Sequence, residues 1–201
     1  MEEVKNVLKD IFLFNGAAEV VDKEEFSAPK TFLKGQVIYS ADTFLKSIGV
    51  IIDGKAKATA LSGEALLTRF GVGDVFGAAA VFGNNKEYIS KIVADSDCTV
   101  QFIEQEKLLL LFEKYPVISI NYVTFLSSRI RFLNEKLAIM MQDDVESRIY
   151  AYLLRNDGYS GKMTTLANTL CIGRTSLYRS LEALENKNLI VKKDGKFKVV
   201  L

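Results

Sequence analysis

The chain has 201 residues, 49% of them hydrophobic, with 26 lysines and arginines against 25 acidic residues and no histidine at all. That length builds one or two packed domains, and the absence of histidine removes imidazole acid–base chemistry, His-ligated zinc and proximal-His haem. Cys98 and Cys171 lie too far apart in sequence to suggest a disulfide framework or a metal cluster. No apolar run is long enough to span a membrane and no signal-peptide pattern opens the sequence, so a cytoplasmic protein with no cofactor and no membrane partner is expected.

From about Thr31 to Ile103 the sequence is a series of short β-prone runs separated by glycine. Ile48–Ile52 and Lys55–Thr59 flank Asp53-Gly54, a strong short hairpin signal. Further runs follow at Ala65–Phe70, Ile89–Ala94 and Thr99–Ile103, and many short strands with frequent turns predict a barrel or jelly-roll sandwich. Helical spacing begins at Glu104 and is interrupted at Pro116, a residue suited to a first helical turn. A long amphipathic segment then runs to Gln142. In it Tyr122, Leu126, Ile130, Leu133, Leu137 and Met140 or Met141 recur at steps of three and four. That seam fits a parallel dimer helix. A helix lying against its own β-domain uses the same stripe, and Phe125 and Phe132 add a second apolar face.

The stretch Lys162–Val191 predicts a helix-turn-helix. Thr164 and Thr165 are good helix N-caps, and Leu166, Ala167 and Leu170 form a small apolar face. Cys171-Ile172-Gly173 breaks the helix, with Gly173 permissive for the turn. The second helix buries Leu177, Leu181 and Leu184 and presents Arg174, Thr175, Ser176 and Arg179 on its other side. Arginine pairs bidentately with guanine, and serine or threonine serve base edges or phosphates, so these residues predict major-groove contact. A hairpin around Asp194-Gly195 follows as a wing. Met163–Leu201 carries seven basic residues against three acidic ones, a net +4 on a chain that is +1 overall, and a basic end of this kind suits phosphate contact. A small structural helical hairpin is the plainer reading of the same segment.

The order of β-roll, long helix and C-terminal winged helix resembles the Crp/Fnr family of bacterial transcription regulators. Gly71-Val72-Gly73-Asp74-Val75-Phe76-Gly77 resembles that family's turn into the ligand pocket, Lys91–Val100 the strands after it, and Asp144-Val145-Glu146-Ser147-Arg148-Ile149 the hinge into the DNA-binding domain. The resemblance implies an α+β protein with a sensor β-roll and flanking helices over 1–115, a dimerisation helix over 116–142 and a winged helix-turn-helix over 143–201. It implies a homodimer on a pseudo-palindromic double-stranded DNA operator, with RNA polymerase as a further partner and no enzymatic activity. Arg174 and Arg179 fall at base-reading positions, Thr175 replaces a glutamate of cAMP-responsive members, and Thr164 or Thr165 would touch phosphate.

The resemblance also places an effector pocket at Phe76, Gly77, Ala78, Tyr88, Ile89, Leu133 and Asn134. Cyclic-nucleotide binders carry Glu where Ala78 stands and an Arg-Ser pair where Tyr88 and Ile89 stand. Losing the arginine removes a charge-assisted phosphate contact, so an effector other than cyclic AMP is expected. Tyr88 and Asn134 would be the polar handles of a mainly apolar pocket lined also by Ala79 and Ala80. A pocket filled by its own side chains, with no effector, remains the other reading. A jelly-roll enzyme lacks the metal-binding histidines and the nucleophile–base pair it would need, and a pure interaction module would dimerise without DNA.

Overall fold

Strand β3 (Ser47–Asp53) is buried along its length up to Asp53, and its alternation explains why. Ile48, Val50 and Ile52 join a core shared with helices, while Ile51 points into a second core between sheets. A strand covered on both faces reads as a continuous apolar run, which is what SIGVII is. Strand β8 (Cys98–Glu104) alternates in the same way: Val100 and Phe102 face the inter-sheet core and Ile103 the helical one.

These strands belong to a computed structural model that describes residues 2–40, 45–60, 66–83 and 90–200. Two compact units are present, Met1–Ser127 and Ser128–Leu201. In the first, β1 (Lys30–Phe32), β8, β3 and β6 (Val75–Phe76) form one antiparallel sheet. Strands β2 (Val37–Tyr39), β7 (Ser90–Ala94), β4 (Ala56–Ala60) and β5 (Leu66–Phe70) form the other. The result is the expected jelly-roll within an α+β chain.

Asp53-Gly54 departs from its local signal. β3 and β4 do not pair with each other; the turn carries the chain from one sheet to the other. Gly54 has φ +80°, and a Cβ there would lie 2.1 Å from the Asp97 carbonyl oxygen. The glycine is needed for a crossing between sheets and not for a hairpin.

Helices α1 (Glu2–Asp10), α2 (Val20–Lys23) and α3 (Gln105–Lys114) cover the β3–β8 sheet, with Leu8, Val20, Val21, Leu108 and Leu111 buried in the shared core. Glu24 locks this layer. Its carboxylate accepts from Lys107 Nζ and Lys114 Nζ, each at 2.7 Å, and from the Tyr115 hydroxyl at 3.0 Å. These donors, Lys107 first, hold the Glu24 carboxyl at about 2. Helix α4 (Pro116–Met140) starts at Pro116 as expected, and its first half adds Ile118 and Tyr122 to the same core.

The second unit takes the remainder of α4, then α5 (Val145–Arg155), α6 (Met163–Thr169), α7 (Arg174–Asn186) and the hairpin β9 (Ile190–Lys193) and β10 (Lys196–Val199). Its core joins Ile139, Ile149, Leu153, Leu166, Leu170, Leu177, Leu181, Leu184, Ile190 and Phe197. Lys193 and Lys196 are register partners, so Asp194-Gly195 is a two-residue turn; its φ values of 50° and 76° are those a hairpin of matching twist requires. Tyr159 adds a further bridge to Phe197. Among the described residues, no helix is long and apolar enough to cross a membrane, and no group of histidine, cysteine or acidic side chains is placed to hold a metal.

Candidate nucleic-acid interface

Helix α7 is fixed by one face. Leu177, Ser180, Leu181 and Leu184 are buried, and at about 100° per residue the opposite face carries Arg174, Thr175, Tyr178, Arg179 and Glu182, all exposed. Ser176 lies at the margin, half-buried. Tyr178 and Glu182 were not among the sequence expectations, which rested on the arginines and on the small hydroxyl residues Thr175 and Ser176. Yet Tyr178 is 56% exposed and sits one turn after Arg174, in the middle of the face. An exposed aromatic on a helix that buries its leucines was the available signal.

Two local expectations are corrected. The N-cap of α6 is Lys162, with no side-chain cap, so Thr164 and Thr165 stand inside the first turn. Thr164 is half-buried and Thr165 exposed. The turn between α6 and α7 rests on Cys171, whose φ is +53°. Gly173 is the N-cap of α7 with φ −68° and ψ 147°, a conformation open to any residue.

Within this unit, Asp144 is the N-cap of α5. Its carboxylate accepts from the Ser147 backbone N–H at 2.8 Å and from the Ser147 hydroxyl at 2.7 Å, and these bonds hold its pKa below the usual range. Arg148 then reaches two chain ends: Nη2 donates to the Gln142 carbonyl at 3.4 Å and Nη1 to the Leu170 carbonyl at 3.5 Å. The linker after α4 and the end of α6 thus share one guanidinium.

Charge is distributed unevenly. Residues 128–201 hold 13 basic and 8 acidic side chains, net +5, which leaves −4 for residues 1–127. Three cations of the basic end are already paired: Lys187 with Glu146 at 2.6 Å, and Lys196 and Lys198 with Asp157 at 3.2 and 3.6 Å. The pairing raises the Lys187 pKa and lowers that of Asp157. Arg174, Arg179, Lys192 and Lys193 take part in no ion pair among the described residues, and Lys192 lies 5.2 Å over the Phe197 ring.

The residues assigned to an effector pocket fall partly in the first unit, partly in the second and partly outside the described residues. Phe76 is 4% exposed and packs against Tyr39, Phe70 and Phe102 in the inter-sheet core. Its ring leaves no room for a side chain at position 49, where a Cβ would lie 2.1 Å from it. Gly77 adopts φ +80°. Ala78 is 7% exposed, and its carbonyl accepts from the Tyr122 hydroxyl at 2.5 Å. Tyr88 and Ile89 lie outside the described residues. Leu133 and Asn134 are exposed on α4 in the second unit.

The seam expected on α4 also divides. Tyr122 is 3% exposed and packs with Phe12, Phe82 and Phe112. Leu126 is half-buried against the same core. Both belong to the first unit's interior, while Ile130, Leu133, Leu137 and Met141 are exposed. Periodicity alone could not separate the two faces.

Comparison with known proteins bears on these features. Residues 29–115 match the family Cyclic nucleotide-binding domain. No curated protein matches the chain in sequence. Among solved structures, the Thermus thermophilus catabolite activator protein is 24% identical, with TM-score 0.59 over 94% of this chain and 93% of its own. A CprK protein complexed with OCPA is 16% identical, with TM-score 0.62 over 85% and 86%. The c-di-GMP-responsive global regulator CLP of Xanthomonas campestris is 17% identical, with TM-score 0.55 over 88% and 95%. At these identities the likeness is one of fold, and it extends over both units.

Proposed function

We propose that the chain is a Crp/Fnr-type transcription regulator: a homodimer that binds a two-fold symmetric DNA operator through α7 and is controlled through its β-roll. The observation that carries this reading is the exposed face of α7. Arg174, Thr175, Tyr178 and Arg179 stand on one side of a helix held from behind by three leucines. Lys192 and Lys193 lie on a neighbouring hairpin in a unit of net charge +5. A rigid helix with guanidinium groups on its free face matches the major groove, where arginine pairs with guanine O6 and N7. The hairpin lysines suit phosphates. The fold shared with proteins described as an activator and a regulator supports the same reading.

Selection of binding sites from a random DNA library by the full-length protein tests it. A symmetric consensus is expected, with half-site centres about one helical turn apart, roughly 34 Å. Recovery of unselected DNA at low salt only, with no consensus, overturns the reading.

Control by a small molecule other than cyclic AMP is part of the proposal. Ala78 offers a buried methyl group and a carbonyl already taken by Tyr122, not a carboxylate for a ribose hydroxyl. The aromatic packing around Phe76 favours a second reading, in which the β-roll interior is filled by its own rings and DNA binding is constitutive. Thermal unfolding with panels of metabolites separates the two, because a ligand that binds only the native state must stabilise it. Cyclic AMP is expected to leave Tm unchanged; a Tm that rises with its concentration refutes the exclusion.

A further inference from the structure

The exposed stripe of α4 differs from the seam read by sequence spacing. Among the exposed residues of α4, Ile120, Val123, Ser127, Ile130, Asn134, Leu137 and Met141 line up as one stripe, with Leu133 exposed beside it. The steps between them are three, four, three, four, three and four, the spacing of a two-stranded coiled coil over three heptads. Ile120, Val123, Ile130, Leu137 and Met141 are each more than half exposed. The stripe continues past the end of α4 because the Met141 N–H still donates to the Leu137 carbonyl at 2.9 Å. In this register Ser127 and Asn134 occupy a positions, and Val123, Ile130 and Leu137 occupy d positions. No charged residue falls on the stripe; Arg129, Arg131, Glu135 and Lys136 all lie off it.

We infer that Asn134 is the residue that fixes the register and the two-stranded state of the dimer, by pairing with Asn134 of a second copy across the two-fold axis. This rests on the dimer proposed above. A side-chain amide both donates and accepts, so it complements itself only when two copies align in parallel and in register. A slip of one heptad sets one amide against Met141 with no polar partner, a costly arrangement, and the other against the smaller Ser127. A single Asn at an a position specifies two strands in this way, at the expense of tightness. Among the described residues the Asn134 side chain has no hydrogen-bond partner within its own chain. The same self-complementarity selects a second copy as the occupant, since an unrelated apolar partner would leave the amide unpaired.

Sedimentation equilibrium of the full-length protein and two variants tests the inference, with Leu137→Cys in a Cys171→Ser background as the register probe. The wild type is expected to be a dimer, and the Leu137→Cys protein to cross-link completely on mild oxidation. Asn134→Asp should weaken self-association at pH 7 at least tenfold, because two carboxylates would meet on the axis. Asn134→Leu should tighten association at least tenfold, lose the single two-stranded state, and leave Leu137→Cys only partly cross-linked. Circular dichroism verifies that both variants fold. A wild-type protein that stays monomeric at 100-fold the concentration used for DNA binding overturns the dimer itself. A wild-type dimer whose affinity, stoichiometry and cross-linking are unchanged in both variants overturns the role of Asn134 and leaves the dimer standing.

Discussion

Cys171 shows how one backbone angle can move a structural role away from the residue that sequence suggests. The local pattern pointed to Gly173 as the flexible element of the turn, yet the left-handed residue is Cys171, at φ +53°. An L-residue in that region carries strain of about 1–2 kcal/mol. Cys171→Gly should therefore stabilise the second unit by up to about 1 kcal/mol after glycine's entropic cost, read as a higher urea midpoint. Cys171→Val should lower it, because β-branched residues tolerate positive φ least. Gly173→Ser, by contrast, adds an N-cap hydroxyl to α7 and should gain a few tenths of a kcal/mol. In the first unit, Gly49→Ala places a methyl group into the Phe76 ring. A loss of about 1–3 kcal/mol is expected from such overpacking; an unchanged Tm would show that the ring can move aside.

At the scale of elements, α7 and the Glu24 cluster make separable predictions. Arg179→Ala should cost about 1–3 kcal/mol of operator affinity and relax selectivity at one base pair per half-site, as read by fluorescence anisotropy on matched and substituted operators. Tyr178→Ala should change the preferred base at a neighbouring position; an unaltered consensus after selection would place Tyr178 outside the interface. Lys192→Ala or Lys193→Ala should weaken all sequences alike and flatten the salt dependence by about one unit each. The Glu24 carboxyl, held at about 2 by Lys107, Lys114 and Tyr115, lies below the ordinary value near 4.5. Its contribution is fully present above that ordinary value and is lost as pH falls toward 2, when the folded carboxylate takes up a proton. Glu24→Gln should be less stable at pH 7 and show a shallower loss between pH 5 and 2.

The same elements show what the sequence could and could not reveal. The leucine stripe of α7 and the Asp194-Gly195 turn were legible because each is settled by neighbours within a few residues. Asp53-Gly54 was read as a hairpin because that signal is equally local, whereas membership of β3 and β4 in different sheets is decided by β8 and β7, some 40 residues away. Tyr122 and Leu126 shared a helical period with Ile130 and Leu137, and no period says which face a domain will cover. Phe76 was assigned to a pocket by resemblance, and only the packing of Tyr39, Phe70 and Phe102 around it shows the ring to be core.

Across the whole molecule, charge is divided as −4 on residues 1–127 and +5 on residues 128–201, so DNA should be attracted to the second unit and repelled by the first. Asp157 and Glu146 give that division a further consequence. They act as built-in counterions to Lys196, Lys198 and Lys187. A lysine whose charge is still offset by a nearby carboxylate neutralises a phosphate less fully and so displaces fewer of the cations condensed on DNA. Such contacts add to the fit of the complex while adding less to its salt sensitivity. Asp157→Asn should therefore steepen the dependence of DNA affinity on salt and raise affinity for unselected DNA, while the consensus recovered by selection stays the same.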